Sequence, residues 1–325
     1  MGRYLVTGGA GFLGSHLAAA LCRRGDAVVV LDDLSTGSRE RLAACGGGAE
    51  LVVGSAADRD LVGRLLGGCA GVFHLAASVG VGLLAKRPAA AMANNLATSV
   101  VVLEEAAARG VPCLFTSSSE VYGTRARLPL REDAALQLPA LSQPRGGYAC
   151  SKAAGEALAL ALHRERGFRV VVARLFNVVG PGQSPRYGMV LPRFVQQALR
   201  GEPLTVYGDG AQTRCFTRAG DVVACLLRLF ALPAASGQVV NVGSDQEVSI
   251  LALAELVRHA TGSPSAVVHR PFAEAYPDLT DVERRVPDLT RLRGLLGSVP
   301  STPIADVVGE VVAMLRTPAL VPPQG

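Results

Sequence analysis

The first thirty-odd residues constrain the fold more than any other stretch. Arg3–Thr7 is a short run of strand-forming residues, followed at once by Gly8-Gly9-Ala10-Gly11-Phe12-Leu13-Gly14 and an apolar helix-forming stretch through Leu21. Val28–Leu31 reads as a second strand and ends at Asp32-Asp33. Strand, glycine turn, helix, strand and acid in this register make a βαβ unit that binds a dinucleotide. Gly8, Gly11 and Gly14 let the backbone approach a pyrophosphate, which rests on the positive end of the helix that Phe12 and Leu13 begin. Asp32 follows Gly14 by 18 positions. A carboxylate there bonds the adenosine ribose hydroxyls and repels a 2′-phosphate, so the expected cofactor is NAD rather than NADP. Were NADP preferred, Arg39 would be the nearby cation to suspect.

Composition narrows the partners. With 325 residues, 49% of them hydrophobic, the chain can bury one large core and a smaller lobe. No apolar run is long enough to span a bilayer, and the N-terminus enters a strand directly, so a cytoplasmic protein with no membrane partner is expected. Cys22, Cys45, Cys69, Cys113, Cys150, Cys215 and Cys225 are scattered, with no C-x-x-C pair. They suit reduced thiols and give no metal site. The net charge of +5 comes without dense basic runs or interleaved aromatics, which argues against a nucleic-acid partner and suits a small anionic substrate.

Two further strands are expected at Glu50–Val53 and Gly71–Leu75. Asp58 either meets the adenine or caps a helix. Leu75-Ala76-Ala77 is a small-residue strand tip suited to lie under a cofactor, and His74 reads as a packed core histidine. Asn94-Asn95 opens onto a helix at Leu96–Ala108, and Asn95 is a cofactor candidate. A fifth strand, Val111–Ser117, ends in the hydroxyl run Thr116-Ser117-Ser118-Ser119 and then Glu120. In open α/β sheets the ligand lies at the carboxyl ends of the strands, so these side chains face the site. Beyond them, Tyr148-Ala149-Cys150-Ser151-Lys152 begins a helix that runs to Arg166 and is ended by Gly167. Tyr148 and Lys152 share one face of it, and an ammonium beside a phenol lowers the phenol's pKa toward that of a usable base. The only lysines are Lys86 and Lys152, in a chain that otherwise uses arginine.

These motifs, with Arg174-Leu175-Phe176-Asn177 and Pro203–Phe216, resemble those of the extended short-chain dehydrogenase/reductases, the NAD-dependent nucleotide-sugar epimerases, dehydratases and decarboxylases. The resemblance implies a doubly wound parallel α/β sheet of the Rossmann type with a smaller C-terminal lobe. It places an NAD-binding domain at residues 1–176, re-entered by about 215–245, and a nucleotide-sugar lobe at 177–214 and 246–325. It also implies Ser118, Tyr148 and Lys152 as the catalytic triad, with Tyr148 and Lys152 touching NAD, and a homodimer joined through Leu96–Ala108 and Tyr148–Arg166. Asn177, Tyr207 and Arg214 match the contacts to the UDP-sugar; a guanidinium fork suits a diphosphate.

In that family all three chemistries begin with oxidation of a sugar hydroxyl to a 4-ketone. The dehydratases carry an Asp-Glu pair after the catalytic Ser or Thr; here the first position is Ser119, a very weak acid. Ser118-Ser119-Glu120 resembles instead the pattern of the UDP-glucuronate decarboxylases, and Arg285 the Arg of their R-x-P motif. Those relatives often carry an Arg near the position of Met189. The expected function is decarboxylation of UDP-glucuronate, giving UDP-xylose or its 4-keto form. A UDP-sugar 4-epimerase stands second and a dTDP-glucose 4,6-dehydratase third. An NAD-binding sensor is disfavoured because Tyr148, Lys152 and Ser118 are all kept. Arg285 has a plainer alternative as a surface salt bridge.

Overall fold

The computed structural model describes the chain except for residues 45, 47, 81–83, 85, 125, 186, 187, 276–281 and 317–325. Cys45, Tyr187 and the proline-rich stretch after Thr317, expected to fray, lie outside the described residues.

The first half alternates strand and helix: β1 (Arg3–Thr7), α1 (Phe12–Arg23), β2 (Ala27–Asp32), α2 (Arg39–Ala44), β3 (Glu50–Val53), α3 (Arg59–Leu66), β4 (Gly71–His74), α4 (Pro88–Ala108), β5 (Cys113–Ser118), α5 (Pro144–Arg166) and β6 (Val170–Leu175). A short 3-10 turn, Ser119–Tyr122, follows β5 directly. Then come β7 (Val178–Val179), α6 (Val190–Leu199), β8 (Leu204–Tyr207), β9 (Thr213–Cys215), β10 (Thr217–Arg218), α7 (Ala219–Ala231), β11 (Val239–Val242), β12 (Glu247–Ser249), α8 (Ile250–Thr261), β13 (Val267–Arg270), α9 (Phe272–Ala275), α10 (Thr290–Leu296) and α11 (Ile304–Arg316).

Seven strands form one parallel sheet in the order β11-β6-β5-β4-β1-β2-β3. Helices cover both faces, so the strands read as nearly unbroken apolar runs. One face packs Val6, Val28, Val30 and Phe73 with α1 and α7. The other packs Leu5, Val29, Val72 and Phe115 with α3, α4 and α5. A separate core joins α6, α8 and α11 through Phe194, Leu253, Val257 and Val308. β11 pairs with β6 from Val239 to Val242, so the chain does return to the sheet after its first pass into that third cluster.

Two helices begin earlier than their amphipathic pattern suggests. Pro88 and Pro144 sit at their first turns, where a fixed φ and a missing N–H cost nothing. Asn94 and Asn95 therefore lie inside α4 rather than opening it, and Arg145 joins Tyr148 and Lys152 on α5. α5 ends as expected at Gly167, in the left-handed conformation at φ 63°.

Candidate active site

A cleft of about 520 Å³ runs along the carboxyl ends of the sheet strands, from the glycine turn to the third core. At one end the chain turns tightly after β1. Gly8 has φ 71°, and a Cβ there would lie 2.7 Å from the Ala76 amide nitrogen, so no other residue fits between the two strand tips. A Cβ at Gly14 would strike the Gly8 carbonyl oxygen. Gly8, Gly11, Phe12, Leu13 and Gly14 line the cleft, opposite Leu75, Ala76 and Ala77. Asp32 is buried at the tip of β2, where its carboxylate accepts the amides of Ala10 and Leu34, each at 2.9 Å. Burial raises its pKa, and those amides only partly oppose the shift. An open glycine turn at a helix start, facing a fixed carboxylate, fits a dinucleotide. Gly8 to Gly14 would take the pyrophosphate and Asp32 a ribose.

Asp58 does not line the cleft. It stands in extended backbone ahead of α3 and caps it, accepting the Leu61 amide at 3.0 Å, so of its two expected roles the structural one holds. Asn95 is likewise turned into the fold. It accepts the Ser78 amide at 2.7 Å and donates to the Ser78 carbonyl at 3.2 Å and the Ser151 hydroxyl at 3.4 Å. Asn94, its neighbour, lines the cleft instead. Arg39 does not line the cleft either. The cation beside Asp32 is Arg41, whose guanidinium donates to the carbonyls of Ala10, Thr36 and Gly182.

In the middle of the cleft, α5 sets Tyr148 and Lys152 beside the tip of β5. Both are buried. The Ser118 hydroxyl bonds Tyr148 and also accepts the Glu120 amide at 3.2 Å, capping the 3-10 turn. Lys152 Nζ donates to the Thr116 carbonyl at 2.9 Å and lies 5.1 Å from the centre of the Phe115 ring. Burial brings the Lys152 pKa down to about 8, against the pull of Glu156. The Tyr148 phenol is raised rather than lowered: burial leads, the Glu120 charge adds to it, and the Ser118 bond opposes. Sequence reasoning expected Lys152 to lower the phenol; in the protein without ligands burial outweighs any such lowering. His74 is wholly buried behind them, with Nδ1 2.7 Å from the Thr7 hydroxyl and its pKa pushed down to about 3 by burial and then by Lys152. It is a core histidine.

At the far end, Arg285 reaches back from the segment before α10. It is 4% exposed and forks onto Glu120, at 2.5 and 3.3 Å, with Ser119 Oγ and the Gly123 carbonyl each 3.4 Å away. It is thus a buried partner of the strand tip and not a surface salt bridge; that description fits its neighbour Arg284, which pairs with Glu247. Burial alone raises the Glu120 pKa, but Arg285, Arg145 and Arg214 outweigh it and hold the carboxyl below its ordinary range. Asn177, Tyr207 and Arg214 also line this end. Arg214 is fixed by the carbonyls of Thr213 and Val282, at 2.7 and 2.6 Å.

The model of the NAD dependent epimerase/dehydratase family matches residues 4–243. The chain belongs to that family. It is 34% identical over 316 residues to the UDP-N-acetyl-alpha-D-glucosaminuronate decarboxylase of Bacillus cytotoxicus, covering 97% of this chain and 98% of that one. It is 35% identical to UDP-glucuronic acid decarboxylase 2 of Arabidopsis thaliana across 92% of its own length, and spans 64% of that relative. Among solved structures, the UDP-glucose 4-epimerase of Thermotoga maritima, with UDP-glucose, matches with a TM-score of 0.87 at 30% identity, covering 97% of this chain and 98% of that one.

The far end of this cleft carries arginines beyond the motifs. Arg145 and Arg193 line it and were not singled out from the sequence. Arg145 stands one turn before Tyr148, a spacing that could have flagged it once the helix was begun at Pro144. Arg193 lies one turn after Met189, the position near which the related decarboxylases often carry an arginine and where this chain has Met; its guanidinium covers the Tyr207 ring at 4.7 Å. Among the described residues there is no cluster of His, Cys, Asp and Glu able to hold a metal, and no helix long and apolar enough to cross a membrane. The six described cysteines are free thiols.

Proposed function

We propose that this protein is an NAD-dependent decarboxylase of a UDP-hexuronate, with UDP-glucuronate the first candidate. The observation that carries the reading is the charge at the sugar end. Among the described residues, Arg145, Arg193, Arg214 and Arg285 line it together with Glu120, a set of guanidinium donors suited to a diphosphate and a carboxylate. The decarboxylase names of the curated relatives support the same reading.

Bound NAD+ would supply the hydride acceptor for the sugar C4. Tyr148 would take the C4 hydroxyl proton, held in place by the Ser118 bond. The charge of Lys152 on the same helix face, with that of bound NAD+, would favour the ionised phenol. Once C4 is a ketone, the C5 carboxylate is a β-keto acid: its bond to C5 breaks, CO2 leaves, and the electron pair passes to the ketone oxygen as an enolate. Ser119 and Glu120 would orient the water or proton that C5 then takes up, and Arg285 would hold the hexuronate carboxylate against the oxidised ring. Ser119 gives a C6 hydroxide no adequate acid, which disfavours 4,6-dehydration.

The 4-epimerase reading has one observation of its own: Glu120 already occupies Arg285, so the pair could be purely structural. Incubation with UDP-glucuronate, UDP-N-acetylglucosaminuronate and UDP-glucose, each with NAD+, separates the readings by product mass. A pentose product from a hexuronate supports decarboxylation. Interconversion of UDP-glucose and UDP-galactose with the hexuronates untouched refutes it. A cytoplasmic homodimer joined through α4 and α5 belongs to the same proposal, and sedimentation would test the dimer.

A further inference from the structure

A backbone bridge lies beside the ion pair of Arg285 and Glu120. Leu130 is buried and runs parallel to Pro287; its amide donates to the Val286 carbonyl at 2.8 Å and its carbonyl accepts the Asp288 amide at 2.9 Å. These bonds fix the chain just past Arg285. Asn241, on β11 and wholly buried, closes the arrangement. Its amide nitrogen donates to the carbonyls of Leu130 and Asp288, at 2.8 and 3.1 Å, while its amide oxygen accepts the Tyr122 hydroxyl at 2.7 Å. Its own backbone N–H donates to Glu132 at 2.9 Å.

Tyr122 ends the 3-10 turn that carries Glu120, and Asp288 lies just beyond Arg285. One side chain therefore ties the two backbones that bear the pair. The site asks for two donors and an acceptor at once, which an uncharged amide provides. Behind it, the Arg174 guanidinium covers the Tyr122 ring at 4.7 Å and forks onto Glu156 at 2.9 and 2.7 Å. Glu156 stands one turn past Lys152 on α5, so the strut continues to the helix of Tyr148. A buried, fully satisfied network of this kind holds one geometry, and a gap in it leaves the remaining polar groups without partners.

We propose that Asn241 is a positioning residue for the reaction: it fixes the spacing between the turn carrying Glu120 and the segment carrying Arg285, and so keeps that pair seated at the reacting end of the cleft. The proposal rests on the reading that Glu120 and Arg285 act on the substrate. Neither Asn241 nor Tyr122 lines the cleft, so neither touches substrate.

The test is a double-mutant cycle on the full-length enzyme with NAD+. Asn241→Ala is made in the wild type and in Arg285→Gln, with Tyr122→Phe as a parallel variant that removes one bond and no packing volume. Asn241→Ala is expected to lower kcat with UDP-glucuronate about tenfold or more, and Tyr122→Phe about threefold, with the Kd of NAD and of UDP moved less than about twofold. In the Arg285→Gln background each further change should cost less than about twofold, because the pair it positions is gone. Equal losses in both backgrounds, or matching losses of NAD and UDP affinity, would overturn the proposal and leave Asn241 a residue of the fold alone. If Asn241→Ala does not fold, Tyr122→Phe decides by the same criteria. If wild-type protein releases no CO2 from UDP-glucuronate, the functional reading has failed separately. The cycle is then read on thermal midpoints, where non-additivity between positions 241 and 285 supports the tie and additivity overturns it.

Discussion

The two ends of the cleft each present a carboxylate near a strand tip, and the protein treats them in opposite ways. Asp32 is held by the amides of Ala10 and Leu34, and burial leaves its pKa raised. Glu120 is also pushed up by burial, yet Arg285, Arg145 and Arg214 drive it down. On the proposed reading, Asp32 meets neutral ribose hydroxyls, for which positioning by neighbouring backbone suffices. On the same reading, Glu120 works beside a charged sugar, and the counter-charges from several elements would also receive the substrate's own acid.

The contrast fails outright if the chemistry does not lie at the Glu120 end. Tyr148→Phe should lower oxidation of the sugar by about a factor of 10²–10⁴ and leave NAD affinity intact, since the Gly8–Gly14 turn and Asp32 are untouched. Stopped-flow absorbance for reduced cofactor, with calorimetry for NAD, checks both halves. Near-normal turnover would remove Tyr148 from the mechanism.

Breaking the arginine side comes next. Arg285→Ala strands the Glu120 charge and should destabilise the protein by about 3–5 kcal/mol. It should also weaken UDP-glucuronate by about ten- to a hundredfold more than UDP-glucose, the worth of one charge-assisted bond. Adding Glu120→Gln should restore part of the stability but not the discrimination. Denaturant melts and competition binding report the two effects, and equal weakening of both sugars would show that Arg285 does not read the carboxylate.

Lys152 sharpens the comparison through pH. Its folded-state value of about 8 lies below the ordinary 10.5, so the unfolded chain binds more protons between those values. Stability should therefore rise with pH across that window. Lys152→Met should abolish this rise and raise stability near neutrality by about 1–3 kcal/mol, while removing activity. A wild-type stability profile that is flat or falls from pH 8 to 10 would count against a depressed Lys152.

The smallest effect belongs to the other acid. Asp32→Asn removes the charge and keeps an oxygen for only one of the two amides, since Ala10 bonds Oδ2 and Leu34 Oδ1; it should improve NADP binding relative to NAD by about tenfold. Arg41→Ala in that background should lose the gain, while Arg39→Ala should not. Cofactor titration by fluorescence distinguishes them.

Much of the fold could be read from residues because its determinants are local. The glycine turn, Asp32 and the Tyr148-to-Lys152 spacing each lie within one βαβ unit or one helix turn, and the strand tips followed from the hydroxyl run after Thr116. What escaped depends on contacts between distant segments. Arg285 was marked only by resemblance, and its burial against Glu120 joins positions 165 apart in the chain. Asp58 and Asn95 carried the right residue types for ligand contacts, and what spacing could not show is that Asp58 caps α3 and Asn95 bonds Ser78 and Ser151. The raised Tyr148 phenol could not be inferred from spacing, because it follows from burial, which depends on how distant segments pack around α5.

The central claim is that the arginine-rich end receives a hexuronate and removes its carboxylate. UDP-glucuronate labelled with 13C at the carboxyl carbon, incubated with the protein and NAD+, allows CO2 in the headspace to be followed by mass spectrometry. Labelled CO2 should accumulate with a UDP-pentose or its 4-keto form, and both should vanish in Tyr148→Phe. Complete retention of the label in a UDP-hexuronate, whether unchanged or inverted at C4, would contradict it.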